Sequence, residues 1–252
     1  MKIGFDFQLL SEGIKYPLIV KTGQHACIIG GTGAGKSTLV YYMIYSASYQ
    51  TDERNSSLPP VWFISDFKQS NTLTGITDFY AEFEDCYDLI KQFYQNFLET
   101  PEGGRGYDQI LIIDEVAGML SYFGMNKESK SKADEIRSIM ANILMLGRSR
   151  RCYLWLVMQR YTASIFPSAS GAIDNVNLIV GLGRLTVDSK RSLFAGMELD
   201  FEFLPGQGRG IAYIDGEPLR AICVPRIDKE KLLAFMRWKH QTRKKNNYLA
   251  DV

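Results

Sequence analysis

Residues 30–37 read Gly-Gly-Thr-Gly-Ala-Gly-Lys-Ser. Glycines let a backbone turn tightly enough for successive N–H groups to converge on phosphate oxygens. Lys36 brings positive charge to the β- and γ-phosphates of a nucleotide, and Ser37 offers a hydroxyl to magnesium. Every fixed position of the pattern G-x-x-x-x-G-K-[ST] is filled. A chain of this length meets that pattern by chance on the order of one time in a hundred, and here it also follows an apolar run and opens a helical one. ATP and Mg2+ are therefore the expected cofactors. Gly30, Gly31, Thr32, Gly33, Ala34, Gly35, Lys36, Ser37 and Thr38 would surround the phosphates.

A second group lies 78 residues beyond Lys36, where the apolar run Ile110-Leu111-Ile112-Ile113 ends on Asp114-Glu115. A strand there would deliver Asp114 to the magnesium and Glu115 to the attacking water, a task of positioning more than of covalent chemistry. The adjacent acidic pair favours hydrolysis over phosphoryl transfer to a small molecule. It also points to the ASCE branch of P-loop proteins, which inserts an extra strand between the P-loop strand and the Asp-Glu strand. Residues 152–158 supply that strand, and Gln159 at its end is expected beside the γ-phosphate. An exposed acidic pair and an ordinary polar strand end are the plain alternatives for these residues.

The elements that must hold these groups follow from the pattern of apolar residues. Strands are expected at 3–7, 17–20, 26–29, 61–65, 109–113, 152–158, 176–180 and 210–214. Helices are expected at 36–48, 85–98, 133–146 and 228–240. The helix at 85–98 rests on Leu89, Ile90, Phe93 and Phe97, and that at 133–146 on Ile136, Ile139, Met140, Ile143 and Leu144. Residues 50–60, closing on Pro59-Pro60, read as a loop. Continuous apolar strands alternating with helices imply an α/β fold, a mostly parallel central sheet covered by helices on both faces. There is no internal repeat. The 252 residues divide as 1–225, the main domain, and 226–252, a basic helix and tail.

Composition narrows the partners. The net charge is +1, so nucleic-acid contact has to come from local patches. Cys27, Cys86, Cys152 and Cys223 form no CxxC pair and read as reduced core residues. His25 and His240 are too isolated for a zinc site or a histidine triad. No apolar run approaches the ~18 residues needed to span a membrane, so no direct membrane insertion is expected and the setting reads as cytoplasmic.

Four segments resemble the FtsK/SpoIIIE–HerA superfamily of DNA-translocating ATPases over roughly residues 24–225. They are the P-loop at 28–38, Phe63-Ile64-Ser65-Asp66-Phe67-Lys68, Ile112-Ile113-Asp114-Glu115-Val116-Ala117-Gly118-Met119, and the stretch from Gly147-Arg148 to Gln159-Arg160. In the family an arginine precedes a strand and a glutamine follows it eleven residues later, a spacing that Arg148 and Gln159 keep. Phe67 stands where the family often has proline, and Met158 where it often has threonine. The resemblance implies a RecA-like P-loop NTPase core working as a homo-oligomeric ring, hexameric or pentameric. Arg148 would then be a finger on the neighbouring subunit's nucleotide, with Arg184, Arg191 and Arg209 as rivals. A solvated basic helix end made of Arg148, Arg150 and Arg151 is the other explanation.

The partner implied is double-stranded DNA, gripped through its phosphates. Two stretches qualify as pore loops: 121–132, with Lys127, Lys130 and Lys132, and 160–171, which opens on Arg160. Plain solvated loops would look the same. The C-terminal stretch adds Lys229, Lys231, Arg237, Lys239, Arg243, Lys244 and Lys245. The leading expectation is an ATP-driven DNA pump of a virus or mobile element, working with a portal or membrane-channel partner. The alternatives are a conjugation or secretion ATPase that moves protein or nucleoprotein, and a non-hydrolysing assembly module. The chain has no Leu-Ser-Gly-Gly-Gln transporter signature.

Overall fold

The computed structural model describes residues 1–54, 58–125, 127–168 and 170–245; of 50–54 and 243–245 only the backbone is described. The elements run β1 (Lys2–Asp6), α1 (Phe7–Ser11), β2 (Pro17–Ile19), β3 (Ala26–Gly30), α2 (Lys36–Arg54), β4 (Val61–Asp66), β5 (Tyr80–Glu82), α3 (Cys86–Glu99), β6 (Gln109–Asp114), α4 (Val116–Met125), α5 (Lys130–Leu146), β7 (Cys152–Met158), β8 (Leu178–Leu182), α6 (Val187–Leu193), β9 (Arg209–Ile214), β10 (Arg220–Cys223) and α7 (Lys229–Lys245).

Among the described residues the strands form one sheet in the order β2-β1-β10-β9-β8-β3-β7-β6-β4-β5. From β8 to β5 neighbours run parallel. From β8 to β2 they run antiparallel. β7 lies between β3 and β6, where the sequence placed the inserted strand. The parallel strands are apolar without interruption because both of their faces are covered. Leu111, Ile113, Leu154 and Leu156 pack with α3, α4 and α5. Ile110, Ile112, Trp155 and Val157 pack on the opposite side with α2 and α7. Burial of two such layers is the main favourable term in the fold.

Several expected boundaries move. α2 continues to Arg54, through part of the stretch read as a loop, and 55–57 lie outside the described residues. The stretch 121–132 is not an open loop. α4 extends to Met125 and α5 starts at Lys130, so the break is confined to 126–129, of which Asn126 lies outside the described residues. The basic segment is helical to Lys245, and 246–252 lie outside the described residues. α7 lies on α2, with Leu232 and Met236 buried and Phe235 edge-on to Tyr45 at 5.2 Å. Along β9 burial alternates between half-buried and buried residues, because helices do not cover both faces of the antiparallel wing.

Candidate active site

The P-loop leaves β3 through a gap that only glycine fits. A Cβ on Gly30 would sit 2.5 Å from the carbonyl oxygen of Leu182, and Gly35 has φ +103° with the backbone of Gly208 alongside. The antiparallel wing braces this turn. Gly208 N donates to Ala34 O at 2.9 Å, and Val224 N donates to Gly208 O at 2.7 Å. Lys36, at the start of α2, is buried, and its Nζ donates to Gly30 O at 2.6 Å and Gly31 O at 3.1 Å. Burial lowers the pKa of Lys36, the positive charge of Lys68 adds to that, and the charges of Glu115 and Asp114 oppose it. Beside Gly35 and Thr38 a hollow of about 570 Å³ opens against the wing, lined also by Lys15, Gln207, Pro225 and Arg226.

The acidic pair reaches the same end of the sheet. Asp114, the last residue of β6, is 9% exposed. Burial pushes its carboxyl up to about 6; Lys68 and Lys36 pull against this, while Asp66 and Glu115 reinforce it. Glu115 sits between β6 and α4 in the left-handed region, φ +64°, with its N–H donating to Val157 O at 2.9 Å. A non-glycine residue there stores strain of about 1–3 kcal/mol, which the surrounding structure must hold in place. The turn directs the Glu115 side chain towards the neighbouring strand ends. Gln159 Nε2 donates to Glu115 Oε2 at 3.4 Å, and Thr32 Oγ1 donates to Gln159 Oε1 at 3.5 Å. These two long hydrogen bonds chain the P-loop, the end of β7 and the end of β6 together.

Lys68, just past β4, forms an ion pair with Glu115 Oε2. The motif Ser65-Asp66-Phe67-Lys68 does not by itself reveal this pairing. The signal was a lysine just past a strand end, but its partner lies 47 residues away. Asp66, 1% exposed, organises the turn that carries Lys68. Its carboxylate accepts from Ser70 N at 3.2 Å, Ser70 Oγ at 3.0 Å, Asn71 N at 3.0 Å and Tyr80 OH at 2.9 Å.

Arg148 is at the other end of the sheet. It precedes β7, whose seven residues put about 23 Å of strand between it and Gln159. The three arginines of this turn differ. Arg150 donates from one guanidinium nitrogen to Phe97 O, Leu98 O and Thr100 O at 3.2, 2.8 and 2.8 Å, closing the end of α3. Arg151 pairs with Asp108 at 2.8 Å. Arg148 is exposed and makes no ion pair among the described residues. The solvated basic helix end considered for the three thus does not describe Arg150 and Arg151, which have partners, and remains open only for Arg148. Of its rivals, Arg184 and Arg209 flank the P-loop end through the wing, and Arg191 lies exposed on α6. His25, behind Arg148, is 1% exposed and accepts from Leu154 N at 3.0 Å. Burial, and then Arg148, lower its pKa to about 4, so it serves as a neutral acceptor.

The proposed DNA contacts separate. Lys127 and Lys130 are exposed at the α4–α5 break, whereas Lys132 lies over the rings of Tyr87 and Phe123 at 4.8 and 5.7 Å. Arg160 is exposed directly after Gln159, in a stretch where Ala169 lies outside the described residues. The side chains of Arg243, Lys244 and Lys245 also lie outside them.

Among the described residues no group of three or more His, Cys, Asp and Glu side chains could cage a metal, and all four cysteines are free. Ser37 and Asp114 supply a hydroxyl and a carboxylate, hard oxygen donors of the kind magnesium takes alongside phosphate oxygens and water. No helix of the described residues is long and apolar enough to cross a membrane.

No family model matches the chain, and no curated protein matches it. Solved structures do. The cytoplasmic domain of the Type VII secretion ATPase EccC of Thermomonospora curvata superposes with a TM-score of 0.63 at 19% identity, covering 95% of this chain and 30% of that one. The pCW3 conjugation coupling protein TcpA, a monomer form with ATPγS, gives 0.66 at 14% identity, covering 93% and 70%. The genome packaging NTPase B204 of Sulfolobus turreted icosahedral virus 2, in complex with AMPPCP, gives 0.51 at 15%, covering 82% and 100%. The chain thus spans under a third of the EccC cytoplasmic domain it matches. It shares the RecA-like P-loop ATPase fold with all three, in keeping with the FtsK/HerA resemblance of its sequence.

Proposed function

We propose that this protein is a ring-forming ATPase that hydrolyses Mg-ATP and uses the cycle to move double-stranded DNA. The observation that carries the hydrolytic reading is the convergence of Lys36, Asp114, Glu115 and Gln159 around the P-loop, linked through Thr32. The triphosphate would lie along residues 30–38, with the nucleoside in the hollow beside Gly35 and Thr38. Magnesium, held by Ser37 and Asp114, would neutralise charge on the β- and γ-oxygens. Glu115 accepts a proton from water as its oxygen bonds to the γ-phosphorus. The bond from that phosphorus to the β,γ-bridging oxygen breaks, releasing ADP and inorganic phosphate.

Arg148 would complete the site of the adjacent copy. It is exposed, makes no ion pair among the described residues and lies about 23 Å of strand from Gln159 at the P-loop end of the sheet, which supports action in trans within a hexameric or pentameric ring. Lys127, Lys130 and Arg160 are the exposed cations offered to the DNA backbone. Lys132, stacked on two rings, would act on the shape of that segment instead. Residues 1–225 would form the motor and 226–252 a basic attachment, in a cytoplasmic setting and anchored by a portal or channel protein. The likeness to a secretion ATPase supports a second reading, in which the cargo is protein or nucleoprotein.

ATPase rates measured with and without long duplex DNA, across a range of salt, separate these readings. Stimulation that falls with salt supports the DNA motor. A rate indifferent to DNA at every salt concentration overturns it, and stimulation by protein alone favours the second reading.

A further inference from the structure

We propose that Lys68 is a positioning residue of the hydrolytic site, one that holds the Glu115 carboxylate by one oxygen and leaves the other for water. The inference rests on the hydrolytic reading given above. The Lys68 ammonium pairs with Oε2 of Glu115, and Gln159 Nε2 faces that same oxygen at 3.4 Å. Oε1 has no hydrogen-bond donor among the described residues. A carboxylate held in this way presents one lone-pair edge in a fixed direction, as a base that must meet a proton at hydrogen-bond distance requires.

Two features fix Lys68 in turn. Its turn is wrapped around the buried Asp66 carboxylate, and Gln69 and Asn71 both take φ +55° to allow the wrap. The adjacent Phe67 is wedged among Phe83, Tyr122 and Phe123, with ring centroids 5.3, 5.6 and 6.2 Å away. An ordinary surface ion pair needs neither. Lys68 is itself exposed, but its charge also acts electrostatically on both Lys36 and Asp114.

The test compares wild type, Lys68→Met, Lys68→Arg, Glu115→Gln and the Lys68→Met/Glu115→Gln double variant. It reads kcat and KM for Mg-ATP, Kd for a non-hydrolysable ATP analogue, and Tm. Lys68→Met is expected to lower kcat by roughly 10- to 100-fold, within what a positioned base contributes, while KM, Kd and Tm stay close to wild type. Lys68→Arg restores most of the rate, and in the Glu115→Gln background Lys68→Met has no further effect. An unchanged kcat overturns the proposal. So does a weakened Kd with kcat intact, which would make Lys68 a phosphate contact, or a fallen Tm without rescue by arginine, which would make it structural. A wild type that binds the analogue yet does not hydrolyse ATP overturns the hydrolytic reading itself, and this proposal with it.

Discussion

Asp66 and Asp114 are register partners at the ends of the parallel strands β4 and β6, and they are 1% and 9% exposed. Asp66 spends its lone pairs on Ser70, Asn71 and Tyr80. Asp114 has no such shell among the described residues, and burial raises its pKa from 3.8 to about 6. The two carboxylates thus differ, one building a turn and the other buried without such partners, as the proposed magnesium ligand.

This division sets a pH dependence. A carboxyl whose pKa is higher in the folded chain binds protons more tightly there, so stability falls as pH rises between about 4 and 6. The shift corresponds to an upper limit of about 3 kcal/mol at pH 8. Asp114→Asn should therefore unfold at a higher temperature than wild type at pH 8 without nucleotide. The gap should close as pH falls towards 4. Thermal scans at several pH values read it directly, and a gap that widens on acidification contradicts this account of Asp114.

Arg150 and Arg148 should behave oppositely. Removing Arg150 leaves Phe97, Leu98 and Thr100 carbonyls without their shared donor. Charged hydrogen bonds of this kind contribute about 1.5–3 kcal/mol, so Arg150→Ala should lower stability in urea titrations by about that much. Hydrolysis per folded molecule should be unaffected. Arg148→Ala removes a side chain with no ion pair and should leave the urea midpoint where it was.

Much of this site could be read before the structure because its parts are local. The P-loop is contiguous, and β3, β6 and β7 are apolar runs whose last residues are the chemistry. Their adjacency followed from the logic of an inserted strand. The Lys68–Glu115 pair was not legible, because it joins two strand ends through space. β5 has only three residues and β10 four, too short for a period to emerge. α1 is five residues started by the Asp6 side chain, which accepts from Leu9 N at 3.1 Å. In residues 121–132 polarity suggested a loop, yet Tyr122 and Phe123, packed against Phe67 and Phe83, hold the stretch up to Met125 as the end of α4.

The left-handed backbone of Glu115 makes a separable prediction. Glu115→Ala and Glu115→Gly both remove the carboxylate and should both abolish turnover. They differ only in how they tolerate φ +64°. A Cβ in that region costs roughly 1–2 kcal/mol, so the glycine variant should be more stable than the alanine variant by about 1 kcal/mol. Urea denaturation of the two proteins reads this, and equal stabilities would mean that the turn relaxes.

The position of Arg148 yields the sharpest test of the ring. If it serves the neighbour, an Arg148→Ala subunit keeps an intact P-loop and Glu115 but offers nothing to the adjacent site. A Glu115→Gln subunit has the opposite defect. Each variant alone should lose about 10³-fold or more in kcat, the scale on which an arginine finger or a water-positioning residue acts. Mixed before assembly, some interfaces would pair an intact Glu115 with an intact Arg148, and activity should reappear, peaking near equal proportions. An arginine acting only within its own chain predicts no recovery at any ratio, as does an arginine that merely solubilises the helix end.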